Sequence, residues 1–428
     1  MGWKSQVNSR KIFRIQTKST QEQLESFFFK QVANPLIESV EIYPEDGGKF
    51  KKRFLEASLS HVQLMHKEQV DVINLSQEDE VLEKISLQRH LALSIKEMQV
   101  IRAYYEEPRT IQRRLDQGLP KQPTDVEIEI LAQTWSEHCK HKIFQASIDY
   151  EYKGKKQKID SLYKTFIKGS TKYVKEKENL SWLISVFEDN AGIVRFDNEV
   201  DLCIKVETHN SLSALDPYGG ALTGILGVNR DILGCGIGAK PLANMDVFCL
   251  APANWPLPGE EEMMPKGPVS PSFCLKGVHK GVQDGGNKSG IPTVNGAMFF
   301  HESYGGKPLI FVGTVGVIPQ KILGNPSAQK TPKIGDRIVM VGGRIGLDGI
   351  HGATFSSLQL DDNFPTTAVQ IGDPFTQKKM SNFLLEARDL GIYSSITDNG
   401  AGGLSSSIGE MACMTNGAVI DVSLCPVK

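Results

Sequence analysis

Apolar and polar positions follow two different periods along this chain. From Ser76 to Gly118, apolar residues recur every three or four places at Leu82, Ile85, Leu91, Ile95, Met98 and Ile101, with charges between them. That period predicts amphipathic helix, with Ser76 as its N-cap. Pro120-Lys121-Gln122-Pro123 breaks the pattern. Thr124 and Glu127 then form a capping box and predict a second helix through Ile128, Leu131 and Trp135 to Glu137-His138. Nearer the start, Ile12, Arg14 and Gln16 alternate with Phe13 and Ile15, as in a strand. Ser19 to Glu22 reads as a capping box for a helix over Gln21 to Val32, and Leu36 to Tyr43 and Phe54 to Leu59 read as strands. Residues 1–75 are thus predicted to be a small α/β unit.

After Val194 the period shortens to two, and strands are expected to alternate with Gly-rich loops and one helix. Pro308 to Pro319 is apolar, β-branched and Gly-rich, which predicts a buried strand too short to cross a bilayer. A Gly-rich turn and then an apolar helical run are predicted before Arg230-Asp231. Lys276 to Pro292 is glycine-dense and polar, and reads as a backbone cradle for phosphates, although no Walker A string is present. Gly234 to Ala239 reads as a loop, because Pro241 follows where a helix would run. Past a boundary at Pro332 to Asp336, Arg337 to Gly342 predicts a buried strand. Phe383, Leu384, Leu385 and Leu390 predict a helix ended by Gly391, and Ile392 to Ile396 a strand leading into Asp398. Within residues 143–190, the basic run Lys153 to Lys158 reads as a solvated loop and not as a nucleotide site. The predicted class is α/β (α+β) in four parts: 1–75, a helical linker and insertion at 76–190, an α/β domain at 191–325, and a second, shortened α/β domain at 330–428.

Composition narrows the function. The 428 residues carry a formal net charge of −2 with both signs interspersed, so nothing favours nucleic acid or an anionic membrane as partner. The seven cysteines form no C-x-x-C pair, which argues for reduced, buried thiols in a cytoplasmic protein over a zinc site or a disulfide framework. The polar N-terminus has no signal-peptide core, and Gln6 stands where a myristoylation motif wants Ser or Thr.

The chemistry concentrates between Lys205 and Asp231. Alternation puts Lys205 and Glu207 on one strand face. Thr208, His209, Asn210 and Ser211 follow where the strand ends, and Arg230-Asp231 closes the segment. Two carboxylates, cations and an imidazole in this order suit phosphoryl transfer: carboxylates for Mg²⁺, cations for phosphate, and an imidazole for a proton.

The string from Lys205 to Asp231 resembles the signature of the formylglycinamide ribonucleotide amidotransferase family of purine biosynthesis. Four further segments agree in order: Thr134 to Cys139; Gly342-Gly343-Arg344 with Asp348 to Ala353; Val369 to Phe375; and Thr397 to Gly403. The resemblance implies an aminoimidazole-ribonucleotide-synthetase-like ATP-binding domain at 191–325, with its companion domain at 330–428. It implies conversion of formylglycinamide ribonucleotide, ATP and ammonia to the amidine, ADP and phosphate, through an iminophosphate.

By the same resemblance, His209 is the acid–base residue and His138 assists it. Lys205 contacts ATP, and so does His141, which stands where the family often has tyrosine. Thr208, His209, Asn210, Ser211, Arg230 and Gln370 contact substrate, while Glu207, Asp231 and Asp398 hold Mg²⁺. Ser211-Leu212 replaces the usual His-Pro, and Leu347 stands where the family often has arginine. The implied partners are a separate glutaminase subunit or domain and a second synthetase half, this chain reading as an N-terminal piece of a longer protein. Two other readings stand beside this one. One is a half that binds nucleotide or partner subunits without turnover alone. The other is a different ligase or kinase of the aminoimidazole ribonucleotide synthetase superfamily.

Overall fold

The computed structural model describes residues 12–31, 40–43, 70–257, 259, 263, 269–346, 348–356, 368–370, 372–423 and 425–427. The chain divides into two compact units, Met1–Val70 and Asp71–Lys428. The predicted strand Phe54 to Leu59, most of Leu36 to Tyr43, and Leu347 lie outside the described residues.

In the first unit, helix α1 spans Gln21–Gln31. Its cap sits one residue later than predicted. The Thr20 amide donates to Gln23 Oε1 at 3.0 Å, and the Gln23 amide donates to Thr20 Oγ1 at 3.3 Å. Residues 12–17 are irregular and exposed and do not form the predicted strand.

The second unit opens with helices α2 (Asp79–Gln88), α3 (Ile95–Glu106), α4 (Pro108–Asp116) and α5 (Asp125–Thr134). Leu75, Leu82, Leu91, Met98, Ile101 and Ile128 form their shared core. The N-cap of α2 is Glu78. Ser76 is spent elsewhere, donating to Glu106 Oε1 at 2.7 Å. Thr124 and Glu127 make the predicted capping box of α5. Buried Arg114 ties α4 to it through a 2.5 Å ion pair with Glu127. Short helices α6 (Glu137–Lys140) and α7 (Lys142–Gln145) follow.

The basic run expected as a solvated loop is part of a strand hairpin instead. Strands β1 (Ser147–Tyr152) and β2 (Lys155–Asp160) form an antiparallel hairpin, followed by a π-helical turn and helix α8 (Gly169–Lys177). The lysines stay solvated, but their backbone is paired.

The centre of the unit is a six-stranded mixed sheet. Its strands are β3 (Leu183–Ser185), β4 (Gly192–Arg195), β5 (Val200–Thr208), β6 (Lys240–Leu250), β7 (Thr293–Phe300) and β8 (Leu309–Pro319), in the order β3-β4-β5-β8-β6-β7. Only β6–β7 is parallel, and a helix makes that crossover, as parallel pairing requires. Helix α9 (Asn210–Leu215) leads from β5 into α10 (Pro217–Leu233), which lies on one face of the sheet, and α11 (Pro271–Ser289) packs on α10. Val312, Ile310, Phe248, Ile225 and Val278 sit in the core between them.

Two glycine-rich readings are corrected here. Gly219 and Gly220 are not a turn before the helix. They lie inside α10, which starts at Pro217 with Asp216 as cap. Lys276 to Pro292 is not a phosphate cradle but most of α11 and its end. A Cβ on Gly281 would meet the Tyr218 carbonyl oxygen at 2.5 Å, and one on Gly277 would meet Pro217 Cβ at 2.6 Å. Glycine spaced by four is thus what lets the two helix backbones touch.

The rest of the unit comprises α12 (Gly352–Ser356), α13 (Pro374–Asp389) and α14 (Gly403–Ala412). Gly391 ends α13 at φ +67°, as predicted. Arg337 to Gly342 is no buried strand, since Ile338 and Val339 are 45% and 75% exposed. Ile392 to Ile396 likewise has no ladder partner among the described residues.

Candidate functional site

Alternation along β5 turns Asp201, Cys203, Lys205 and Glu207 toward the helices and leaves Ile204, Val206 and Thr208 on the open face. The last turns of α10 bring Arg230 and Asp231 to the same place. Lys205 Nζ lies 3.3 Å from Glu207 Oε1 and 3.3 Å from Asp231 Oδ2. Asp398 joins from the segment before α14, its Oδ2 3.7 Å from Arg230 Nε.

The electrostatics follow from burying so many charges together. Burial alone would lower the Lys205 pKa, but Asp231 and Glu207 hold it above the ordinary value. Burial works upward on Glu207, yet Lys205 carries it below the usual carboxylate range. Asp231 is pushed up to about 7, first by burial and then by Asp398 and Glu207.

His209 follows β5 with its amide donating to the Ile310 carbonyl at 2.9 Å. Its ring is buried, Nδ1 has no partner among the described residues, and burial lowers its pKa to about 4. The imidazole is therefore neutral at ordinary pH. His138, on α6, lies 3.0 Å through Nδ1 from Ser356 Oγ, and burial lowers its pKa against the pull of Glu207. His141 is exposed, at φ +54°, where α6 meets α7.

The remaining expected contacts split. Asn210 Oδ1 accepts from the Ile310 amide at 2.8 Å, and buried Ser211 donates to the Ser356 carbonyl at 3.1 Å, so both side chains hold the strand-to-helix turn. Thr208 faces away from Lys205 and Glu207. Arg230, Gln370 and Asp398 line an open cleft of about 950 Å³, together with Arg344, Asp373 and Gly400. Lys205, Glu207, His209 and His138 are not in its wall.

Mg²⁺ takes hard oxygen donors, usually one or two carboxylates plus phosphate. Glu207, Asp231 and Asp398 supply that chemistry, and after burial the next causes of the raised Asp231 carboxyl are the negative charges of Asp398 and Glu207, which a divalent cation would relieve. Among the described residues no three acidic, His or Cys side chains converge at coordinating distance, and the Lys205 ammonium stands between Glu207 and Asp231. The donors fit the ion in type and charge.

Sequence reasoning passed over Asn190. Its Nδ2 donates to Asp398 Oδ1 at 2.8 Å and to Asp231 Oδ1 at 3.3 Å. The available signal was the polar pair Asp189-Asn190 followed at once by Ala191-Gly192 at a strand start.

Comparison with known proteins finds related sequences and structures. The formylglycinamide ribonucleotide amidotransferase linker domain matches residues 82–142. The N-terminal and C-terminal domains of AIR synthase related proteins match 188–318 and 333–428. Phosphoribosylformylglycinamidine synthase subunit PurL of Thermoplasma acidophilum is 35% identical over 340 residues, covering 78% of this chain and 38% of the relative. The Thermoplasma volcanium PurL is 33% identical over 371 residues, covering 86% and 41%. A structure of T. maritima PurL complexed with FGAR superposes with TM-score 0.51 at 28% identity, over 75% of this chain and 44% of that one. The chain thus spans about two fifths of the length of these curated relatives. With linker and both synthetase-type domains matched in order, the chain belongs to the PurL family of formylglycinamide ribonucleotide amidotransferases.

Proposed function

We propose that this chain carries the ligase site that converts formylglycinamide ribonucleotide, ATP and ammonia to formylglycinamidine ribonucleotide, ADP and phosphate. The observation behind this reading is the convergence of Lys205, Glu207, Arg230, Asp231 and Asp398 from β5, α10 and the segment before α14, beside an open cleft. Lys205 and Arg230 supply positive charge to phosphate and carboxamide oxygens. His141 takes the ATP contact at the mouth of α7. Thr208, Asn210, Ser211 and Gln370 serve substrate positioning, with Asn210 and Ser211 acting through the turn that they brace. Glu207, Asp231 and Asp398 would hold Mg²⁺, which when bound adds charge neutralisation at the phosphates.

In this reading the γ-phosphoryl group passes to the amide oxygen of the substrate. Ammonia adds at the same carbon, and phosphate leaves. His209, neutral through its burial and with Nδ1 unpartnered among the described residues, takes the surplus proton, and His138 stabilises the developing charge.

Ammonia comes from a separate glutaminase subunit or domain. Burial pushes the Cys139 and Cys274 thiols up, Cys274 to about 12, and the neighbouring Cys203 thiol, then burial, pushes Cys235 up, the opposite of what a glutaminase nucleophile needs. A second synthetase half, or a second copy, covers the open sheet face, where Ile204, Val206 and Phe299 are exposed. That face also favours a second reading, in which turnover begins only once it is covered. No described helix is long and apolar enough to cross a membrane. The seven unpaired cysteines suit the cytoplasm. The domain divisions 1–75, 76–190, 191–325 and 330–428 belong to the same proposal.

The test is ADP release from ATP with saturating ammonium and formylglycinamide ribonucleotide. Substrate-dependent release, lost in His209→Ala, supports the ligase. Mg-dependent nucleotide binding without turnover supports the second reading. Neither binding nor turnover refutes both.

A further inference from the structure

We infer that Asn190 is a positioning residue that sets the spacing of Asp231 and Asp398, and through it the affinity of the site for a divalent cation. The inference rests on the reading of these carboxylates given above. Asn190 lies two residues before β4, and among the described residues its Nδ2 is the one donor that reaches both acids, Asp398 Oδ1 at 2.8 Å and Asp231 Oδ1 at 3.3 Å. The acids come from different elements, the end of α10 and the segment before α14. A single carboxamide therefore ties the strand domain to the segment that carries Asp398.

The carboxamide is itself held from behind. Its Oδ1 accepts from Lys330 Nζ at 3.2 Å and from Thr397 Oγ1 at 3.4 Å. Lys330 is almost fully buried and paired with buried Asp189 at 2.5 Å. Asp189 Oδ2 accepts from the Gly236 amide at 2.7 Å, and Oδ1 accepts from the Asn190 amide at 2.8 Å. With Oδ1 engaged by two donors, the amide group has one orientation, NH₂ toward the acids.

A neutral donor is the side chain this place requires. Lysine would add a second ammonium beside Lys205 and leave less negative charge for a cation, and aspartate would repel both acids. Asparagine takes one oxygen from each acid and leaves the other two turned to the cationic side. Asp231 Oδ2 faces Lys205 at 3.3 Å, and Asp398 Oδ2 faces Arg230 at 3.7 Å. Partners behind metal-binding carboxylates commonly hold roughly 10–100-fold in affinity.

The test is calorimetric titration of Mn²⁺ into the full chain with a non-hydrolysable ATP analogue present, for wild type, Asn190→Ala and Asn190→Gln. Thermal unfolding in EDTA monitors the fold of each. Alanine is expected to weaken cation binding by about 10–100-fold. Glutamine, which keeps the amide but displaces it by one methylene, is expected to fall between alanine and wild type. Should the alanine variant fail to fold, the glutamine variant decides alone. Wild-type affinity in either folded variant overturns the inference while leaving the site intact. A wild-type chain that binds no cation with the analogue overturns the functional reading, and the positioning role with it.

Discussion

Replacing Gly281 with alanine sets two effects of opposite sign against each other. In an exposed helix, glycine to alanine gains about 1 kcal/mol from propensity. On α11, however, the new Cβ would stand 2.5 Å from the Tyr218 carbonyl oxygen and 3.0 Å from the Leu222 amide nitrogen. Carbon in contact with backbone prefers about 3.5 Å, so α10 and α11 must part by nearly 1 Å. The obstructing atoms are helix backbone and cannot swing aside. Overpacking of this kind costs about 1–3 kcal/mol before any propensity gain. The parting also loosens Val278 and Val282 against Ile225 and Leu222 in the core. The expected net result, overpacking less the propensity gain, is a loss of about 1 kcal/mol, a lower midpoint in urea at 25 °C with unchanged slope. Gly409 is the control, being exposed in the interior of α14 with nothing within 4 Å of its built Cβ. Gly409→Ala should gain about 0.5–1 kcal/mol. A Gly281→Ala chain as stable as wild type would falsify the close-packing argument.

Three further outcomes are expected. Burial pushes the Asp246 carboxyl up to about 6, against the help of Thr293, and Oδ1 has no partner among the described residues. A raised acid stabilises fully below its unfolded pKa of about 3.9, and that contribution fades as pH climbs through 6. Wild type should therefore lose about 2 kcal/mol between pH 4 and 7 relative to Asp246→Asn, and parallel urea midpoints for the two chains would exclude it. Arg114→Ala leaves Glu127 without its partner in the linker core and should cost about 3 kcal/mol, read from the same unfolding curves. Thr124→Ala removes one arm of the α5 capping box and should cost about 1 kcal/mol, with amide exchange quickened at Glu127 more than at Leu131.

Local patterns carried well to the structure, and patterns whose meaning depends on a distant partner did not. The placement of Lys205 and Glu207 on one face follows from strand alternation alone, and the α5 box from four consecutive residues. The strand Leu309–Pro319 and the Gly391 stop of α13 were legible for the same reason. Gly277, Gly281 and Gly285 looked like a flexible loop because glycine lowers helix propensity. Gly277 and Gly281 make room for the backbone of α10, some sixty residues earlier, and Gly285 for its Ile225 side chain. Asn190 was invisible because its two acids lie 41 and 208 residues away. Arg337 to Gly342 had the composition of a strand, but strand propensity expresses packing against neighbours, and none of the described strands pairs with it. Ser76 lost its role as cap because Glu106 offered its hydroxyl a partner thirty residues on.

The pairing of β5 with β8 has a consequence for how the chain is made. Val200 to Thr208 meets Phe311 to Pro319, so roughly a hundred residues must leave the ribosome before that ladder closes. At about 5–20 residues per second, translation leaves β5 as a sheet margin for about 5–20 s, held only by the short β4 hairpin. Throughout that interval Ile204 and Val206 stand bare beside an unpaired row of amides, a template for a neighbouring nascent chain. The strand that bears Lys205 and Glu207 is also the strand most in need of a chaperone during synthesis, and slower elongation between codons 209 and 319 should lower the soluble yield.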